Sequence, residues 1–134
     1  MPPDPVSPGS PGDWLRHARA DLALAQVEVS PQLLELLCFH AQQACEKSLK
    51  AVLVYFGVAV PKTHNLRALV DLISKYASVP MDIAGCAELT DYAVTTRYPG
   101  VYEPVTENEH REAVQTADQT IRWVETLVGA GMTP

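Results

Sequence analysis

The sequence predicts an all-α fold: an antiparallel up-and-down helical bundle with four core helices plus one shorter helix. Three observations predict it. Apolar residues recur at steps of three and four along most of the chain, start and stop signals divide that periodicity into five segments, and few stretches carry β-branched alternation long enough for a strand. With 134 residues and 47% hydrophobic content, the chain can bury one core without disulfide or metal staples, so a single domain is expected. No internal repeat is visible.

Residues 1–12 hold five prolines, which remove backbone donors and disfavour a helix, so this stretch is expected to be a disordered tail. The helical domain is expected over residues 13–128. Asp13 is a plausible N-cap for a first helix, with Trp14, Ala18, Leu22 and Ala25 as its stripe, ending near Val27. Ser30-Pro31 pairs a capping side chain with a proline suited to the first helical position, and the pattern then runs from about Pro31 to Phe56, where Gly57 stops it. A third, shorter helix begins near Thr63 to Asn65 and carries Leu66, Leu69, Val70 and Ile73. A fourth is expected from about Asp82 to Thr96, with Ile83, Cys86, Leu89 and Ala93 inward, ending before the turn signal Arg97-Tyr98-Pro99-Gly100. Thr106-Glu107-Asn108-Glu109 has the form of a capping box and opens a fifth helix to about Leu127, with residues 129–134 expected to fray.

Composition excludes several classes. A formal net charge of −6 is the wrong sign for a protein that coats nucleic acid by whole-molecule attraction, although a local basic patch is compatible with it. The N-terminus lacks the charged and apolar regions of a secretory signal, and no apolar run approaches the roughly 18 to 20 residues of a membrane span. A cytoplasmic protein with no membrane partner is expected. Cys38, Cys45 and Cys86 lie in apolar contexts and are expected to be buried, reduced thiols. Neither Cys-x-x-Cys nor His-Glu-x-x-His occurs, and no metal or cofactor is expected.

The second helix is the most informative. At 100° per residue, Leu34, Leu37, Cys38, Ala41, Cys45, Ser48, Leu49, Val52, Tyr55 and Phe56 share a sector about 120° wide, the core face. Ala44 and Ala51 beside it allow close approach of a neighbour. Leu36, Phe39 and Val54 are apolar on the far side, which implies a central helix or one that also meets a second subunit. Between these regions His40, Gln43, Lys47 and Lys50 follow at spacings of three, four and three and form a polar strip. Two readings are open: solvated charges with histidine and glutamine satisfying interhelical hydrogen bonds, or a groove for phosphate. Glu46 can pair with Lys50 at i,i+4 and neutralise part of the patch.

Two further segments can meet the strip. Pro61-Lys62-Thr63-His64-Asn65-Leu66 places a lysine and a histidine at a helix N-terminus, where anions are favoured, while capping by Thr63 or Asn65 with His64 packing as a staple explains it equally. Arg97 and Tyr98 offer a guanidinium beside an aromatic ring, suited to phosphate or to a structural salt bridge. Tyr92 and Tyr102 suit base stacking or simple packing.

The order Phe39-His40-Ala41-Gln42-Gln43-Ala44-Cys45-Glu46-Lys47-Ser48-Leu49-Lys50-Ala51, then Pro61-Lys62-Thr63-His64-Asn65-Leu66, then Tyr92 through Gly100, resembles the HEPN family, the higher eukaryotes and prokaryotes nucleotide-binding domains. The resemblance spans about Trp14 to Val128. It implies an all-helical bundle with a four-helix core, usually a homodimer, often encoded beside a minimal nucleotidyltransferase. It also implies nucleotide binding and, in many members, RNA cleavage in toxin–antitoxin or defence systems. By motif position, His40, Gln43 and Lys47 match the first segment, His64 the second, and Arg97 with Tyr98 the third.

The ribonuclease members use an arginine followed, after four to six intervening residues, by a histidine. None of the six arginines here has that spacing; Arg97 is followed there by Tyr102, Glu103 and Pro104, and Arg111 by Thr116, Ala117 and Asp118. Metal-independent RNA cleavage needs a group to take the 2′-hydroxyl proton and another to steady phosphate charge. His110, at the start of the fifth helix, is the remaining histidine for such a role. The expected function is therefore a non-catalytic homodimeric binding module for a nucleotide or nucleic-acid phosphate, a nucleotidyltransferase partner, or both. A ribonuclease toxin with an atypical site and a purely structural interaction protein are the alternatives. The candidate ligand-binding residues are His40, Gln43, Lys47, Lys50, His64, Arg97 and Tyr98.

Overall fold

Side-chain caps supplied by the sequence set the starts of the first, third and last helices, at Ser10, Asn65 and Thr106, whereas Leu33 before the second helix offers no side-chain cap. The structure is a computed structural model that describes residues 7–28, 33–90 and 105–132. Among these residues it holds α1 (Pro11–Ala25), α2 (Leu34–Tyr55), α3 (Leu66–Ile73), α4 (Met81–Ala84), a 3₁₀ helix (Gly85–Thr90) and α5 (Glu107–Met132), with no strand.

The first helix starts earlier than expected. Ser10 Oγ accepts from Asp13 N at 3.1 Å, Pro11 takes the first helical position, and Asp13 Oδ2 accepts from Gly9 N at 3.1 Å. Asp13 is therefore an acidic residue of the first turn and not the cap, because Ser10-Pro11 carries the same serine–proline start signal that Ser30-Pro31 does. The start thus falls inside the stretch read as a tail. Ser30-Pro31 lies outside the described residues. At the other end of α2, Gly57 adopts φ 72°, and Val58 N→Leu53 O at 2.8 Å with Gly57 N→Val54 O at 3.0 Å close a Schellman motif that requires this left-handed residue.

Helix α2 is central: it packs against α1, α3, the 3₁₀ helix and α5, and α1 also packs on α5. Ala44 and Ala51 are fully buried, consistent with close approach of neighbouring helices. The core joins Leu15, Ala18 and Leu22 of α1, Leu49, Val52 and Leu53 of α2, Leu66, Leu69 and Ile73 of α3, and Ala117, Ile121 and Val124 of α5. Tyr55 and Phe56, expected on the core face, are exposed at 40% and 36%. Leu53 takes the buried place in that turn, while Phe56 stacks on Tyr76 with centroids 5.9 Å apart and Tyr55 meets Phe56 edge-on at 5.2 Å.

Two other expectations change. The fourth helix is not one α-helix over its described part: four α-helical residues give way to a 3₁₀ turn at Gly85. No side chain caps its start at Pro80, glycine lowers α-helix stability, and the spacing of three in Ile83, Cys86 and Leu89 suits a helix of three residues per turn. Residues 91–104, which hold the expected remainder, lie outside the described residues. The fifth helix extends past the expected end near Leu127, to Met132. Two glycines at about 1 kcal/mol each do not outweigh a long helix anchored by buried Val128.

The capping box at α5 is reciprocal: Thr106 Oγ1 accepts from Glu109 N at 3.1 Å and Glu109 Oε1 accepts from Thr106 N at 3.1 Å. His110 Nε2 lies 2.6 Å from the Ala25 carbonyl, so that nitrogen donates and ties the first turn of α5 to the end of α1. Exchange of Thr106 for alanine removes the cap and is expected to lower stability by about 1 kcal/mol. Urea unfolding followed by circular dichroism checks this, and an unchanged midpoint would contradict it.

Candidate functional site

Two carboxylates organise the polar strip of α2. Asp21, on α1, is 7% exposed, and Glu46, on α2 itself, is 3% exposed. A carboxylate removed from water needs charged or hydrogen-bonding partners, because its desolvation costs several kcal/mol. The strip supplies them.

His40 and Lys47 converge on Asp21. The His40 Nδ1 lies 3.1 Å from Oδ1 and the Lys47 Nζ 2.5 Å from Oδ2. The two residues are seven apart, about two helical turns on one face. Lys47 spans the interval because helical side chains lean toward the N-terminus and its stem is long. The carboxylate can only accept, so Nδ1 of His40 carries the proton and Nε2 remains for another partner. Both side chains keep some solvent contact, at 28% and 27%.

Glu46 gathers a second group. Lys50 Nζ lies 2.9 Å from its Oε2 and His64 Nδ1 2.9 Å from its Oε1, while Gln42 Nε2 donates to Oε1 at 3.3 Å and to the His64 carbonyl at 3.2 Å. Gln43 Nε2 donates to Gln42 Oε1 at 2.7 Å, which carries the chain of bonds back to the strip. The Glu46-to-Lys50 order at i,i+4 is the favourable one along a helix. Lys50 is buried, and its ammonium sits 5.8 Å from the centroid of the Trp14 ring, a cation–π contact to α1. Of the expected ligand-binding residues that are described, Lys50 is thus buried, and His64, 68% exposed at its side chain, is open.

His64 reaches Glu46 because α3 starts next to it. Asn65 is the cap, its Oδ1 accepting from Arg67 N at 3.0 Å and Ala68 N at 3.3 Å, and Thr63 Oγ1 accepts from Asn65 N at 3.0 Å. Asn65 is therefore the cap, with Thr63 bonding the cap's own amide, and His64 does not pack as a staple but reaches across to Glu46 of α2. Arg97 and Tyr98 lie outside the described residues.

Asp21 and Gln42 were not among the expected site residues. Asp21 had a legible signal: it continues the spacing of Trp14, Ala18 and Ala25, where an apolar residue belongs. Gln42 had none, since its burial depends on the loop before α3 folding over it. Lys47 also lines a depression of about 280 Å³ with Gly9, Asp13, Trp14 and His17. Asp13 is held below the usual carboxylate range by the Gly9 amide and the Arg16 guanidinium. A larger depression of about 480 Å³ between α1, α2 and α5 holds His110 and Arg111. No group of three metal-ligating side chains is found among the described residues, and no described helix is long and apolar enough to cross a membrane.

The arrangement offers ammonium, imidazole and amide donors fixed on buried carboxylates. The Ser48 hydroxyl, the alcohol nearest the strip on α2, donates to the Cys45 carbonyl at 2.9 Å and is fully buried.

Comparison with known proteins agrees with the fold. The HEPN domain profile matches residues 12–127. The crystal structure of ST0689, an archaeal HEPN homologue, is 31% identical, with a TM-score of 0.70 over 89% of this chain and 98% of that one. The crystal structure of TT1696 from Thermus thermophilus is also 31% identical, with a TM-score of 0.76 over 88% of this chain and 98% of that one. No curated protein matches. The chain belongs to the HEPN domain family.

The Glu46–Lys50 pair has a measurable consequence. Glu46→Gln leaves a buried ammonium without its counter-charge and is expected to cost about 3–5 kcal/mol. The double exchange Glu46→Leu with Lys50→Met, which removes both charges, is expected to cost less. Chemical denaturation of the two variants decides it: equal losses would mean that the pair is not a buried charge couple.

Proposed function

We propose that this HEPN chain is a non-catalytic binding module. As a homodimer it receives a nucleotide or nucleic-acid phosphate along His40, Gln43 and Lys47, with Arg97 and Tyr98 contributing from the third motif, and it docks a nucleotidyltransferase partner within a toxin–antitoxin or defence system. The observation that carries this reading is the convergence of His40 and Lys47 on buried Asp21. One carboxylate meets two nitrogen groups, which fixes their position and leaves donor capacity for an anion. His64 extends the donor set on the neighbouring carboxylate. Exposed Leu24, Leu33 and Leu36, at 48%, 46% and 58%, support an apolar contact with a second copy.

The non-catalytic part of the reading rests on the sequence, where no arginine precedes a histidine at the ribonuclease spacing. His110, the remaining histidine for that role, has its Nε2 engaged by the Ala25 carbonyl. The structural alternative has one observation in its favour: Lys50, Lys47, His40 and His64 all have carboxylate partners.

Calorimetric titration of the full chain with adenine nucleotides and with short single-stranded RNA separates the readings. Binding is expected to weaken as salt is raised, and Lys47→Ala is expected to lose about tenfold in affinity, or about 1.4 kcal/mol, on removal of one charge-assisted hydrogen bond. Gel filtration is expected to return a dimer, incubation with RNA no cleavage products, and pull-down a nucleotidyltransferase. A dimer that binds neither probe leaves the structural role; cleaved RNA restores the ribonuclease.

A further inference from the structure

The depression of about 280 Å³ at the first turn of α1 shares Lys47 with the Asp21 cluster, since Lys47 lines the one and pairs in the other. Its remaining lining, Gly9, Asp13, Trp14 and His17, differs in kind from the cations of the strip. Trp14 is a large ring already held in place: it packs on the core, and the Lys50 ammonium stands 5.8 Å from its centroid. Asp13 is fixed as well. Its Oδ2 accepts from the Gly9 amide at 3.1 Å and its Oδ1 from Arg16 at 2.8 Å, and its side chain is 17% exposed. Gly9, at φ 77°, lines the depression with backbone alone.

We propose that this depression is the base subsite of a mononucleotide site, in which Trp14 stacks an amino-bearing nucleobase, Asp13 accepts from its amino group and Lys47 holds the 5′-phosphate. The proposal rests on the reading of Lys47 with His40 as an anion site, and it adds which ligand that site takes.

Polarity sets the orientation. A carboxylate repels phosphate, and an indole offers it a single donor at the ring edge. Both suit a base. The ring gives a surface for stacking, and an ionised carboxylate has about four acceptor positions, of which Gly9 and Arg16 take two. His17 Nε2, 3.8 Å from Oδ1, is beyond hydrogen-bond distance and takes none. Adenine, cytosine and guanine carry an amino group to meet the carboxylate, whereas uracil and thymine would set a carbonyl oxygen against it. Size sets the number of bases. Small-molecule pockets begin at roughly 300 Å³, so the depression suits one base with its sugar. Trp14 and Asp21 are seven residues apart, about 10 Å along α1, the order of length of one nucleotide.

Titration of the full chain with inorganic phosphate and with adenosine, guanosine, cytidine and uridine 5′-monophosphates tests the subsite. All four nucleotides are expected to bind more tightly than phosphate, through stacking, and the three amino-bearing ones about tenfold more tightly than uridine monophosphate. Trp123→Phe leaves Trp14 as the one tryptophan, and its fluorescence is expected to be quenched by adenosine monophosphate and not by phosphate. Trp14→Ala is expected to weaken nucleotide binding about tenfold, with Trp14→Phe weakening it less, and Asp13→Asn to narrow the preference against uridine. Nucleotides that bind no better than phosphate, an absent preference, a preference that survives Asp13→Asn, or an unquenched Trp14 would overturn the subsite and leave the anion site standing. Absence of binding by every probe overturns both. The titration of the native chain stands whether or not any variant folds.

Discussion

The buried carboxylate of Glu46 constrains the structure around it. Once α1, α3, the 3₁₀ helix and α5 pack around α2, the Glu46 carboxylate, 3% exposed, cannot rely on water, and each of its oxygens must find a donor. Lys50 meets one oxygen and His64 with Gln42 meets the other. These partners are not local conveniences. His64 brings the entry of α3 against α2, Gln42 holds the backbone carbonyl at that entry, and Lys50 presents its ammonium to Trp14 of α1. A single desolvated group therefore relates three helices, which apolar packing alone, being non-directional, would leave freer to slide.

Asp21 applies the same logic from the opposite helix. It reaches from α1 to His40 and Lys47 and so sets the rotation of α1 about its axis. The exposed pairs between α1 and α5, Arg19 with Glu125 and Asp118, differ in kind. Their side chains are 45%, 40% and 30% exposed, and ion pairs at such positions contribute about 0–1 kcal/mol. Orientation of the bundle rests on the buried carboxylates, and the surface pairs add little to it. The same tethering bears on binding: cations already held on carboxylates are positioned, which lowers the ordering cost of receiving an anion, and partly neutralised, which lowers the attraction.

Most of the fold was legible because it depends on short-range chemistry. Asn65, Thr106 with Glu109, and Gly57 act within four residues of themselves, so their caps could be read directly from the sequence. Ser10-Pro11 carried the same kind of signal, and the proline density around it obscured the start of α1. The fourth helix was harder. Its apolar spacing of three fits a loose α-helix and a 3₁₀ turn equally, and the absence of a side-chain cap at Pro80 with the change of helix type at Gly85 appears only in the structure. The glycines near the end of α5 misled in the other direction, since a weak local preference yields to a long anchored helix.

The sequence by itself determined the helical class, the family, the polar strip and the Glu46–Lys50 pair, because each is a matter of spacing within segments or of the order of motifs along the chain. Only the tertiary structure decided what the strip faces. Asp21 lies nineteen residues before His40 and twenty-six before Lys47, and Gln42 is buried by a loop twenty-two residues on. Which acid meets which base across such separations depends on how whole helices pack. The cost of leaving any of them unpaired inside the bundle is set by burial, and burial is a property of the assembled fold.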